Sequence, residues 1–449
     1  MAAIVTANVK RNLYLEPGSR TSQLYQRALK VMPGGNTRAT NFSPPYPFYI
    51  REGRGCIVVD EEGQERIDFF NNATTLILGH AYPKVVEAVT AQLHKGSVVG
   101  NPTESEVRLA EIITQRIPSV ERVRFCNSGT EAVLFAVKAA RAYTGRHRIA
   151  KFEGCYHGSF DEVEISLDPT LQAAGDPKAP NRAFYYPSMP PRLIDDVVVL
   201  PFNDLDTVES VLAREKDTIA AVVFDPMPGR LAYTQALPDF APALREITRR
   251  YGMLLISDEV MSFRVRYNGT QPLYRYDADI TTLGKIFGGG FPVGVVGGSA
   301  EVMSVFDPTK GRAKLQHYGT FNANPVTMVA GATTLEEMTP DKFEYINSLG
   351  EATRSRLNQL FQSRGFDAQV LGDGSLFKIA MTSKPILNYR DQLLQPERKA
   401  LMQDLFDGLV TRGVMTSPVL QANVSYPMTT KEIDLLVDAT EDWLNEKHF

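Results

Sequence analysis

The sequence predicts an α/β fold: a mostly parallel central sheet flanked by helices, with a smaller α+β domain. Three observations carry that expectation. Apolar runs of three to five residues recur at 123–125, 148–152, 197–200, 220–224, 253–256, 280–283 and 293–296. Helix-length segments, such as 131–143 and 240–251, separate most of them. Continuous apolar strands between helices belong to a parallel sheet covered on both faces. Between residues 45 and 70, short β-prone runs alternate with Gly-containing turns such as Glu61-Glu62-Gly63-Gln64, the pattern of a small antiparallel sheet.

In chain order, residues 22–31 read as a short amphipathic helix that Pro33-Gly34-Gly35 breaks. Segments 84–93 and 104–116 have helical periodicity and open the α/β part. The Pro-rich stretch 176–196 interrupts the rhythm, as either a functional loop or lid or a solvated surface excursion. After about residue 330 come a long helix, the strand-like SLFKIAM and helices at 397–412 and 430–445. The expected organisation is an N-terminal tail over 1–20, a small domain built from 21–75 and 331–449, and a large domain over 76–330.

A chain of 449 residues exceeds one ordinary core, and 43% hydrophobic with 22% charged residues is the composition of a globular protein. Lys and Arg number 48 against 52 Asp and Glu, for a formal net charge of −4. No run of like charge would track a phosphate backbone or an anionic membrane, so neither nucleic acid nor membrane is an expected partner. Cys56, Cys126 and Cys155 are an odd number without CxxC spacing, which supports neither a disulfide framework nor a metal site. No apolar stretch resembles a signal peptide or approaches the ~18 residues of a membrane span. A soluble cytoplasmic protein is expected.

In open α/β sheets ligands sit past the carboxyl ends of the strands, so the polar residues there are the ones to weigh. Ser128, Gly129 and Thr130 follow one apolar run and open a helix, whose free N–H groups and dipole suit a phosphate; Ser and Thr there are more often plain N-caps. Asp258 ends another run. Such a residue is usually a cap or ion-pair partner, but a buried one can hold a pyridinium nitrogen protonated. Lys285 follows a third run among glycines. Buried there, its pKa would fall and its neutral amine could attack an aldehyde, whereas a surface lysine in a Gly-rich loop would do nothing. Tyr156 follows a fourth run and offers a ring to stack on a flat heterocycle, or simply to pack in the core. The interval of 27 residues from Asp258 to Lys285 is one strand–helix–strand crossover, so both side chains would project from nearby strands.

The segments NSGTEA (127–132), KFEGCYHG (151–158), DEV (258–260), LGKIFGGGFPVG (283–294) and GTFNANP (319–325) together resemble the class III, fold type I, pyridoxal-5′-phosphate-dependent aminotransferases. The similarity is to the subgroup holding glutamate-1-semialdehyde 2,1-aminomutase and the β-amino-acid aminotransferases. The resemblance implies pyridoxal 5′-phosphate as cofactor, with Lys285 as its Schiff-base lysine and proton shuttle. It implies Asp258 on the pyridine nitrogen, Tyr156 stacked on the ring, and Ser128, Gly129 and Thr130 on the phosphate. It further implies a homodimer in which Thr320 reaches the neighbouring site's phosphate, and Arg38 as the holder of a substrate carboxylate.

The implied reaction moves an amino group from an amino acid or amine, including β-amino acids, to a keto acid. The alternative is an intramolecular aminomutase. Aminomutases of this subgroup carry a glutamate in the segment matching 417–426, where this chain has Gln421, and the β-phenylalanine enzymes place an arginine near there that SPVLQANVSY lacks. Asp225-Pro226 also stands where the family usually has Glu-Pro. A nicotinamide dehydrogenase would need GxGxxG directly after its first strand, and a racemase or a catalytically silent scaffold are more remote readings.

Overall fold

The computed structural model describes residues 12–393 and 395–449. The chain divides into two compact units. One comprises Lys84–Phe343 and Pro385–Leu393; the other comprises the chain up to Pro83, Glu344–Lys384 and the chain after Leu393.

The larger unit is built on seven strands: β1 (Arg122–Cys126), β2 (Arg148–Phe152), β3 (Val197–Leu200), β4 (Ile219–Phe224), β5 (Leu254–Asp258), β6 (Ile280–Gly284) and β7 (Gly294–Gly298). Their order across the sheet is β1-β7-β6-β5-β4-β2-β3. Only β7 runs antiparallel to its neighbours; β6-β5-β4-β2-β3 pair in parallel. Every residue of β2 through β7 is buried, because helices cover both faces and most side chains are Val, Ile, Leu, Ala and Gly with little polar surface to solvate. Helix α1 (Gly129–Thr144) lies against this sheet through Ala132, Val133, Ala136, Val137, Ala139 and Ala140. That small-residue face lets it come close, and its start delivers residues 128–130 to the sheet's edge.

In the smaller unit, Ile50–Arg54, Ile57–Asp60 and Glu65–Asp68 form the expected antiparallel meander, and Val414–Met415 extends it in parallel with Glu65–Asp68. A second antiparallel sheet joins Gln369–Leu371, Leu376–Ala380 and Gln421–Asn423. Helix Thr430–Glu446 starts with a capping box between Thr429 and Glu432 and buries Ile433, Leu436 and Trp443.

The expected boundaries need correction. Residue 330 lies inside helix Pro325–Glu337, which belongs to the larger unit because it packs tightly on the segment after Lys285. A Cβ on Gly331 would sit 2.0 Å from the Phe287 carbonyl oxygen. Residues 76–83 belong to the smaller unit, and 385–393 to the larger. Of the expected tail, residues 1–11 lie outside the described residues. Residues 12–20 are no tail: Tyr14 is buried, with the Arg66 guanidinium against its ring, and Asn12 donates to Thr411 Oγ1 at 2.9 Å.

Candidate active site

The carboxyl ends of β1, β2, β5 and β6 carry six of the eight residues singled out from the sequence. Ser128 caps α1, its Oγ accepting the Glu131 N–H at 3.1 Å. The Glu131 carboxylate accepts the Asn127 N–H at 2.5 Å. By helix geometry the N–H groups of Gly129 and Thr130 have no acceptor within the helix, which leaves an anion-binding end. Gly129 is glycine for a steric reason: a Cβ would lie 2.9 Å from Val260 Cγ1. A Cβ on Gly284 would lie 3.3 Å from the same Val260 Cγ1 and 3.8 Å from Gly129 Cα, so residue 129, Val260 and the residue before Lys285 pack together.

The loop after β2 closes another side. A Cβ on Gly158 would lie 2.7 Å from Thr130 Cα, and the Ser159 N–H donates to Thr130 Oγ1 at 3.2 Å. Tyr156, in the same loop, is 48% exposed. The reading of it as a core residue is thereby excluded, and its ring is available for stacking.

Asp258 is buried at the end of β5, and every hydrogen bond to it comes from a neighbouring strand end or loop. Thr282 Oγ1 donates to Oδ1 at 3.0 Å, and the Val260 N–H donates to the same oxygen at 3.2 Å. His157 Nδ1 lies 2.7 Å from Oδ2. A carboxylate only accepts, so the His157 proton sits on Nδ1. The other ring nitrogen, Nε2, is buried without a protein partner.

Lys285 begins directly beyond β6, three residues past Thr282, which pairs across the strands with Asp258. Its backbone has φ +51°, a left-handed conformation that a side-chain-bearing residue adopts only under constraint. No hydrogen bond or ion pair holds its amine among the described residues. Burial draws its ammonium down to about 8, against the opposing pull of Asp258. At neutral pH roughly one Lys285 in ten is therefore uncharged, against less than one in a thousand for an ordinary lysine. Reductive alkylation of cofactor-free protein should label Lys285 with a midpoint near pH 8. A midpoint near the ordinary lysine value, read by peptide mapping across a pH series, would contradict the burial.

Asp225, just past β4, is also buried. Burial, and next the charge of Asp258, push its carboxyl up to about 8, so it carries a proton at neutral pH. Sequence reasoning noted Asp225 as a departure but gave no role to it, to His157 or to Thr282. The signal was present for His157, an imidazole in the loop after a strand, but that loop was weighed only for its tyrosine.

Two predicted residues are not among these six. Thr320 is exposed, in a loop that Asn322 ties to the cradle: Asn127 Nδ2 donates to Asn322 Oδ1 at 2.9 Å. Arg38 lies in the smaller unit, exposed, and donates from Nη1 to Asn72 Oδ1. The 176–196 stretch is docked. Arg390 makes a two-pronged ion pair with buried Glu153, at 2.8 and 3.0 Å, and donates to the Gly175 carbonyl at 2.6 Å, while Met189 is buried.

Residues 39–444 match the family model described as aminotransferase class III. A glutamate-1-semialdehyde 2,1-aminomutase of Methanothermobacter thermautotrophicus is 37% identical over 400 residues, 89% of this chain and 92% of that one. Among solved structures, an omega-transaminase from Sphaerobacter thermophilus superposes with a TM-score of 0.95 at 48% identity, over 98% of this chain and 100% of that one. A β-phenylalanine aminotransferase from Variovorax paradoxus does so with a TM-score of 0.88 at 34% identity, over 99% and 97%.

Proposed function

Since this chain belongs to the class III aminotransferase family, whose members use pyridoxal 5′-phosphate, we propose that Lys285 holds the cofactor and that the amino donor is an amino acid whose carboxylate meets Arg38. The observation that carries the proposal is the partnerless amine of Lys285, set beside a buried Asp258 by two adjacent parallel strands.

The residues fit the group. A phosphate suits the free helix end at Gly129 and Thr130, and the exposed ring of Tyr156 suits stacking on a flat heterocycle. The orphaned Nε2 of His157 is the kind of buried polar atom that a bound group or water satisfies. When bound, the cofactor supplies an electron sink for the bonds of an amino-bearing carbon. Asp258, pinned by Thr282, Val260 and His157, would keep the ring nitrogen protonated. His157 is thus a positioning residue, acting through Asp258. Lys285 Nζ, uncharged in part at neutral pH, would take the proton from the substrate's amino-bearing carbon and return it to the cofactor. Thr130 and Ser128 would orient the phosphate.

Amino transfer to a keto acid is the first reading, and the 48% identity to an omega-transaminase supports it. Intramolecular transfer is the second, supported by the 37% identity to an aminomutase. The two separate on stoichiometry. With β-phenylalanine and 2-oxoglutarate, transamination consumes one keto acid for each ketone formed. Isomerisation of an amino donor with no keto acid consumed would establish the mutase instead. The same reading makes the protein a cytoplasmic homodimer in which Thr320 completes the neighbouring subunit's phosphate site. No helix among the described residues is long and apolar enough to cross a membrane.

A further inference from the structure

Residues 71–74 form a left-handed turn. Asn71, Asn72, Ala73 and Thr74 have φ of +47°, +51°, +54° and +76°, four consecutive residues with side chains in a region that L-residues avoid. Asparagine tolerates it; alanine and β-branched threonine do not. Such a turn persists only where its surroundings over-determine it, and functional sites are where that occurs. Here the surroundings are a buried polar set within the smaller unit. Asp68 Oδ1 accepts the N–H groups of Phe70 and Asn71, each at 2.8 Å, and its Oδ2 lies 2.7 Å from His80 Nε2. Asn71 Nδ2 donates to the Asn423 carbonyl at 3.2 Å, and Asn423 Nδ2 donates to the Phe69 and Phe70 carbonyls at 3.1 and 2.9 Å. Asp68, Asn71 and Asn423 are all buried.

What this scaffold presents at its half-exposed corner is Asn72, whose Oδ1 accepts from the guanidinium of Arg38. The backbone beside that arginine is fixed as well: the Arg38 N–H donates to Asn36 Oδ1 at 2.8 Å. Arg356, Arg364 and Arg390 each meet a carboxylate, whereas among the described residues Arg38 meets only this neutral amide. A neutral acceptor fixes the direction of a guanidinium without cancelling its charge, and leaves most of its N–H fork for an incoming anion. An acid at the same place would cancel it.

We infer that Asn72, held by the left-handed turn, is a specificity-determining positioning residue that aims Arg38 at the carboxylate of the amino donor. The inference rests on the reading of Arg38 as the carboxylate's partner. Asn72→Asp is close to isosteric and tolerates the same backbone, but places a competing carboxylate on Arg38. Asn72→Ala removes the orientation and adds the strain of an alanine at φ +51°, so its unfolding is read beside its binding.

Binding of 3-phenylpropanoate, which has a carboxylate and no amine, is measured by calorimetry on the holoenzyme and its Asn72→Asp, Asn72→Ala and Arg38→Ala variants. Thermal unfolding and KM for 1-phenylethylamine, which has no carboxylate, are measured alongside. The expected result is at least tenfold weaker binding for Asn72→Asp and several-fold for Asn72→Ala, with the amine KM unchanged in both and unfolding unchanged in Asn72→Asp. Wild-type binding in Asn72→Asp together with loss in Arg38→Ala overturns the role of Asn72 and leaves that of Arg38. Undiminished binding in Arg38→Ala, or no binding by the wild type, overturns both. Early unfolding of both Asn72 variants, or equal losses for acid and amine, reduces Asn72 to a structural residue and overturns the inference.

Discussion

Lys285→Ala protein is expected to be colourless after exposure to pyridoxal 5′-phosphate and dialysis, and to turn over at least about 10⁴-fold more slowly than wild type. Both functions proposed for the side chain are lost together. The covalent hold disappears, and so does the base, whose general acid–base share alone reaches about 10²–10⁴. The variant should nonetheless fold well. The amine's pKa is lowered by burial to about 8 in the folded chain, below its value of about 10.4 when unfolded. The unfolded state therefore binds more protons between those values. Below pH 8 the desolvated ammonium of this half-buried residue opposes folding in full, and the opposition fades as pH rises through the window. Cofactor-free Lys285→Ala should thus unfold at a temperature no lower than wild type at pH 7, with any advantage shrinking towards pH 10. A variant that keeps a tenth of its activity contradicts the assignment.

Asp258→Asn should retain bound cofactor and lose about 10³-fold in kcat. The change preserves the volume at a buried position and the acceptor for Thr282 and Val260. It removes the charge that would hold the ring nitrogen protonated, and preorganised charge of this kind is worth about 10²–10³ or more in rate. His157 sharpens the expectation. Its Nδ1–H, 2.7 Å from the carboxylate, would face an amide nitrogen or force the amide to turn. Absorbance separates the steps: a normal internal cofactor spectrum with slow substrate-dependent change supports the role, and a kcat within threefold of wild type removes it.

The large-unit sheet was legible because a strand covered on both faces has little room for polar side chains: β3, β4 and β7 read as uninterrupted apolar runs, and β2, β5 and β6 as apolar runs broken only by Arg148 and Lys151, by Ser257 and Asp258, and by Thr281 and Thr282. The residues past those runs were legible for the same reason: Asp258 and Lys285 are conspicuous where the apolar pattern stops. What eluded sequence reasoning were groups whose meaning lies in their neighbours. His157 and Thr282 matter because of Asp258, which is 101 and 24 residues away along the chain. Nothing local marks Asn72 either, since a left-handed turn of Asn-Asn-Ala-Thr carries no glycine to announce it, and the set that holds it reaches to Asn423. The domain boundary near 330 was misplaced because the pattern of helix Pro325–Glu337 is apolar nearly all round, which hides the unit against which it packs.

A covalent bond from Lys285 to the cofactor can be trapped chemically. Holoenzyme treated with borohydride, digested and mapped by mass spectrometry should carry the reduced pyridoxyl group on Lys285, in near-stoichiometric yield and with the visible absorption band bleached. Modification at Lys151 or any other lysine with Lys285 unlabelled, or no labelled peptide from protein that is fully active, would contradict it.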